Sequence, residues 1–161
     1  MVGNFGISET LNTLKAIFEK HKSERICVIG TMCCGKTTLL KQLSDHNCID
    51  VDDEFWIQIP KEDIEILSKT PITKEIFDEI YRLVHEKITV KSGFPLFGFA
   101  ILDCEVVVYL DISKQLLEEH CQKRGDTNLD DALFIKHCIE HDWNNHKVAN
   151  EKTFYYVTVT E

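Results

Sequence analysis

The chain has 161 residues, 43% apolar and 28% charged, which suits one domain with a proper core and leaves no apolar run near the ~18 residues that a bilayer span needs. Eighteen Lys+Arg against 27 Asp+Glu give a net charge of −9, which repels a nucleic-acid backbone, and no local basic patch reverses it, so neither nucleic acid nor membrane is expected as a partner. No basic segment followed by an apolar stretch opens the sequence, and the 7 cysteines are an odd number; the expectation is a cytoplasmic chain with reduced thiols.

Leu11, Leu14, Ile17 and Phe18 recur at the spacing of one helical face, predicting an amphipathic helix over 8–21 with Ser8 as its N-cap. The short apolar run Ile26-Cys27-Val28-Ile29 suits a central parallel strand covered on both faces, and it ends at Gly30. Residues 36–43 read as a helix, and Cys48-Ile49-Asp50-Val51-Asp52 as a second strand ending in acid. Beyond Pro71, the apolar positions Ile76, Phe77, Ile80, Leu83 and Val84 predict a helix over 74–87. Ile88-Thr89-Val90 is a weaker strand candidate, and Phe99 to Leu102 a candidate short helix in a stretch interrupted by Gly93, Pro95 and Gly98. Val106-Val107-Val108-Tyr109-Leu110 is the clearest strand, followed by Asp111. Helices over 114–123 and 130–141 flank the loop-like Arg124-Gly125-Asp126-Thr127-Asn128, and 154–159 supply a last strand. Strands alternating with helices predict a doubly wound, five-stranded parallel sheet with helices on both faces and a ligand at the carboxyl ends of the strands.

Gly30-Thr31-Met32-Cys33-Cys34-Gly35-Lys36-Thr37 fits the pattern of Gly, four residues, Gly, Lys and Ser/Thr without mismatch, between a strand and a helix as that motif requires. In such a loop successive backbone N–H groups curl around phosphates, glycines permit the close approach, and the following helix adds its positive end. The expected ligand is ATP with Mg²⁺, cradled by Gly30 through Thr38, with Lys36 reaching the β and γ phosphates and Thr37 ligating the metal. Cys33 and Cys34 beside Lys36 allow two readings: thiols activated by their setting, or positions that contribute only backbone N–H groups.

Asp50, Asp52 and Asp53 close the second strand candidate near that loop. Strand alternation puts Asp50 and Asp52 on one face, so that one holds the Mg²⁺ water shell while the other takes a proton from an acceptor hydroxyl. The competing reading is that Asp52 or Asp53 caps the next helix.

The phosphate loop, the strand ending in Asp50 and Asp52, and the strand ending at Asp111 together resemble the small P-loop kinases of metabolites and nucleotides, shikimate kinase and adenylate kinase being the nearest patterns. The likeness spans roughly residues 25–159, and only the phosphate loop is specific. By resemblance to shikimate kinase, Asp50 supports the metal, Asp52 holds the acceptor, and Asp78, Tyr81 and Arg82 form an acid, aromatic and arginine helix in which Arg82 binds substrate; His85 stands where that family has a second acid. Gly93-Phe94-Pro95 resembles an adenylate kinase segment, with Ser92 in place of its aspartate and Leu96 in place of its arginine. The resemblance also implies a lid over 112–129 whose arginine, Arg124, closes on the transferred phosphate, and leaves 1–24 as an N-terminal helical extension of a single domain over 1–161.

The expected activity is transfer of the γ-phosphate of ATP to an acceptor hydroxyl or to a nucleotide phosphate, and with only Arg25, Arg82 and Arg124 present a neutral or singly charged small-molecule acceptor with a hydroxyl is favoured. A nucleotide-dependent switch or ATPase and a catalytically degenerate kinase use the same loop, and both readings stay open; the Asn-Lys-x-Asp motif of GTPases is absent. His137, Cys138 and His141 share a helical face, but without further ligand spacing ordinary packing is the expectation. Phe55 and Trp56 suit either a substrate pocket or the core.

Overall fold

The structure, a computed structural model, describes residues 2–125, 128–149 and 151–159. The elements run α1 (Val2–Lys20), β1 (Ile26–Ile29), α2 (Lys36–Gln42), β2 (Ile49–Asp50), α3 (Val51–Phe55), α4 (Lys61–Leu67), α5 (Lys74–Lys87), β3 (Leu96–Gly98), β4 (Val106–Ile112), α6 (Lys114–Arg124), α7 (Leu129–Ala149) and β5 (Thr153–Val159). The strands form one sheet in the order β2-β3-β1-β4-β5, and every pairing is parallel. This is the five-stranded, doubly wound α/β fold expected from the alternation of elements.

Because β1 and β4 are apolar at every position but one, both sheet faces need cover. Ile26, Val28, Val106, Val108 and Leu110 pack under α1, α2 and α6, through Leu14, Phe18, Leu39 and Leu117 among others. Cys27, Ile29, Val107 and Tyr109 pack under α3, α5 and α7, through Phe55, Phe77, Val84, Ile139 and Trp143. Each such side chain, fully buried, contributes roughly 1.5–3 kcal/mol. Leu14, Ile17 and Phe18 are buried, so α1 is a structural layer of the sandwich and not an extension beyond it.

Several elements differ from the sequence reading, each for a local reason. α1 begins at Val2, so Ser8 lies within the helix and does not cap it; no proline interrupts propagation toward the N-terminus. The second strand stops at Asp50, whose Oδ1 accepts the Asp52 N–H at 3.0 Å and starts α3. Asp50 and Asp52 therefore do not alternate along one strand face; the capping role falls to Asp50, and not to Asp52 or Asp53. Ile88-Thr89-Val90 joins no ladder; Ile88 and Val90 are spent on packing, and the third strand is Leu96–Gly98. Phe99 to Leu102 is irregular, not helical.

The segment 112–129 is not a free-standing lid. α6 fills most of it, capped by Ser113 and held by the buried Leu117 and Cys121, and it ends at Gly125, φ 74°. Asp126 and Thr127, which the lid expectation includes, lie outside the described residues.

Candidate functional site

The β1–α2 loop lies at the carboxyl end of the central strand, where an open parallel sheet presents its ligand crevice. Its turn needs left-handed backbone: Cys33 has φ 61° and Gly35 φ 101°, and a Cβ placed on Gly35 would meet nothing within 4 Å, so the loop is open beside Gly35. A Cβ on Gly30 would lie 2.6 Å from the Cys34 Sγ, so Cys34 packs against the space that a side chain at Gly30 would need. The Lys36 ammonium folds back over the loop and donates to the carbonyls of Gly30 and Thr31, the latter at 3.2 Å. Thr37 and Thr38 are exposed. A turn open beside Gly35, with an ammonium folded over it and an exposed hydroxyl next to it, fits a phosphate chain with its divalent cation.

A cleft of about 640 Å³ runs from this loop across α3 to α4 and α5. Gly30, Met32, Cys33, Cys34, Gly35, Lys36, Thr37, Thr38, Asp50, Asp52 and Arg124 all border it. Thr31 does not: it is buried, and its hydroxyl donates to the Ala132 carbonyl, pinning the loop to the first turn of α7. In that same turn the buried Asp131 accepts the Ile72 N–H at 2.8 Å, holding the segment between α4 and α5.

Asp52 stands at the join of the two halves. Its side chain is exposed overall, with protein crowded against part of the carboxyl. That crowding, then the Asp50 carboxylate, pushes its carboxyl above the usual aspartate range, while Lys36 and a hydrogen bond from Trp56 pull the other way. Its position depends on close packing: a Cβ on Gly98 would sit 3.1 Å from Val51 Cγ1, so only glycine at the end of β3 lets α3 approach the sheet this closely.

Arg124 reaches the loop from the end of α6, its Nη1 3.7 Å from the Cys33 Sγ. From the same helix His120 Nδ1 lies 2.7 Å from the Cys33 carbonyl oxygen. No local spacing in the sequence signals that His120, so distant in the chain from Cys33, holds the loop. Cys34 is fully buried, and burial pushes its thiol up, which removes it from the activated-thiol reading. Cys121 is pushed up to about 11 by burial, then by the adjoining Cys33 thiol.

Arg82 is not brought to the cleft. It is exposed on α5 and paired with Glu79 and with Glu86 at 2.8 Å, because residues three and four apart share a helix face. Asp78 pairs with Lys74 at 3.2 Å, Tyr81 donates to Asp142 at 2.9 Å, and His85 Nε2 lies 3.1 Å from the Ile101 carbonyl oxygen. Asp111 is held by Lys136 at 3.1 Å and by the Tyr156 hydroxyl. Phe55 is core, whereas Trp56 borders the cleft. Among the described residues no group of three or more His, Cys, Asp or Glu is placed to hold a metal ion by itself, and no helix is long and apolar enough to cross a membrane.

No protein-family model and no curated protein matches the chain. It is similar to the solved structure of a gluconokinase from Sinorhizobium meliloti 1021, with a TM-score of 0.49 and 16% identity over 88% of this chain and 85% of that one. It is also similar to shikimate kinase from Bacteroides thetaiotaomicron, with a TM-score of 0.41 and 16% identity over 83% of this chain and 85% of that one.

Proposed function

We propose that the chain binds ATP with Mg²⁺ and transfers the γ-phosphate to a hydroxyl of a small molecule. The observation that carries this reading is the continuity of the cleft: the phosphate loop opens directly into a second compartment, and Asp52 stands between them. A device that only hydrolyses or senses nucleotide has no need of that compartment.

In this reading the backbone of residues 30–38 and the Lys36 ammonium grip the phosphates, while Thr37 and Asp50 hold the metal. Mg²⁺, when bound, neutralises charge on the phosphate oxygens. Asp52 orients the acceptor hydroxyl and takes its proton, a role favoured by a carboxyl held above its ordinary range. The acceptor oxygen forms a bond to the γ-phosphorus as the bond to the β,γ-bridging oxygen breaks, and its electron pair leaves on ADP. Arg124, at the loop's outer rim, stabilises charge on the group in transfer.

The test is ADP release from Mg-ATP with and without each member of a pool of hydroxyl compounds. Acceptor-dependent release, abolished by Asp52→Asn, is the expected result. Steady release that ignores every acceptor indicates an ATPase, and tight nucleotide binding without any release indicates a binding protein; either outcome rejects the kinase.

A further inference from the structure

Past Asp52 the cleft changes character. Its far wall is made by Trp56, Leu67, Ile72, Phe77, Ile80 and Phe99. The Phe77 and Phe99 rings lie 5.7 Å apart at 56°, a tilted pair. Trp56, Ile72, Ile80 and Phe99 are only half-buried, so the fold leaves apolar surface facing the cavity.

Charge points the same way. Asp50 and Asp52 border the cleft, and of the four Lys and Arg side chains among its described lining residues, Lys36 belongs to the loop and Lys123 and Arg124 to α6, which leaves Lys69 between α4 and α5. Two of the three arginines do not reach the cleft: Arg25, at the opposite end of β1, is held by Glu105 at 2.9 Å and Asp103 at 3.0 Å, and Arg82 pairs along α5; Arg124 does line it, beside Cys33 of the loop. An acceptor with several carboxylates or phosphates meets two carboxylates there, and the cleft's one arginine, Arg124, is the group that the proposed mechanism assigns to the phosphate in transfer.

Resting on the kinase reading, we infer that the acceptor is an uncharged, ring-bearing alcohol, its ring against Trp56, Ile80 and Phe99 and its hydroxyl toward Asp52. Aromatic and aliphatic walls recognise a flat or cyclic body by area and ring geometry, and the single carboxylate at the join supplies the orienting polar contact. The hydroxyl proton passes to Asp52, and the products are ADP and an uncharged body bearing one phosphate ester.

The protein with Mg²⁺ and β,γ-methylene-ATP, which cannot transfer its terminal phosphate, is titrated calorimetrically. One arm uses uridine, benzyl alcohol and cyclohexane-1,2-diol; the other uses gluconate and shikimate. A parallel reaction with Mg-ATP reads ADP release. The expected result is uncharged compounds binding about tenfold or more tighter than the acids, and weakened about tenfold or more by Ile80→Arg, which puts a charge on the apolar wall. Trp56→Ala, a truncation at a half-buried site, gives the same loss should Ile80→Arg fail to fold. Tighter binding of the acids, no binding of the uncharged set, or uncharged binding that ignores both substitutions overturns the inference. Ring alcohols that bind without ADP release reject the kinase and uphold the ligand class; release driven by the acids alone does the reverse.

Discussion

The donor side of the cleft draws its groups from consecutive residues between β1 and α2, whereas the opposite wall gathers Trp56, Ile72, Ile80 and Phe99 from separate segments of α3 to β3. The donor side is polar backbone in a tight turn, anchored from outside by His120 and Ala132; the acceptor side is apolar side chain from α5 and from the connections that follow α3, α4 and β3. A phosphate chain is one invariant shape that a short loop can match, while an acceptor has to be met by whatever surface several segments bring together. Local sequence therefore encodes the first and tertiary packing the second.

That contrast can be broken at its strong end. Lys36→Ala should lower kcat/KM for Mg-ATP by about 10³-fold, since the ammonium folded over the loop is the charge that the proposed mechanism sets on the phosphates. Unchanged nucleotide binding and turnover in that variant would remove the donor site from the loop altogether.

At the join, Asp52→Asn should reduce kcat by about 10²-fold while Mg-ATP affinity stays within a small factor. The base acts when ionised, so kcat falls as pH drops through a pKa held above the ordinary aspartate value by crowding and by Asp50. Asp50→Asn keeps the helix cap, because asparagine caps as well as aspartate, and removes both the charge that raises Asp52 and a carboxylate proposed to hold the metal, so its profile is read at saturating Mg²⁺. The acidic limb of the kcat profile should then move to lower pH; a limb that stays put excludes Asp52 as the titrating group.

Packing beneath the join is probed by Gly98→Ala. A Cβ 3.1 Å from Val51 should displace the start of α3 at a cost of about 1 kcal/mol in thermal or denaturant unfolding, and carry Asp52 out of line so that kcat drops more than KM changes. The smallest effect is expected at Arg82, whose partners lie on its own helix: Arg82→Ala should leave the acceptor KM within about twofold of wild type. A large rise in KM there would return Arg82 to the substrate site from which its position removes it.

The same contrast explains what was legible in the sequence. β1, the loop, α5 and β4 are each fixed by neighbours close in the chain: an apolar run, a spacing of glycines and lysine, a 3.6-residue stripe. The strand expected over Cys48 to Asp52 is present at Ile49–Asp50 and stops short, because Val51-Asp52 alternates as well in a strand as it starts a helix, and the Asp50 side-chain bond tips the choice. Ile88 to Val90 looked more strand-like than Leu96 to Gly98, since a proline and glycines surround the latter. Yet Pro95 precedes the ladder, where its carbonyl still accepts from Ile49 at 2.8 Å, and Gly98 closes it where a bulkier residue does not fit. Phe77 and Ile80 were visible as an apolar stripe, but nothing in a stripe says which part of it meets core and which meets a cavity.

Thr31 and Ile72, one in the donor loop and one beneath the acceptor wall, are tied to adjacent residues of a single helical turn, Ala132 and Asp131. That turn works as a strut of fixed length. Replacing side chains on α4 and α5 can reshape the acceptor wall without touching either bond, so the chain can change what it recognises while the spacing between its two compartments is held. Shifting α7 by one residue, by contrast, misplaces both compartments at once, and insertions in its first turn should be tolerated far less than substitutions along α5.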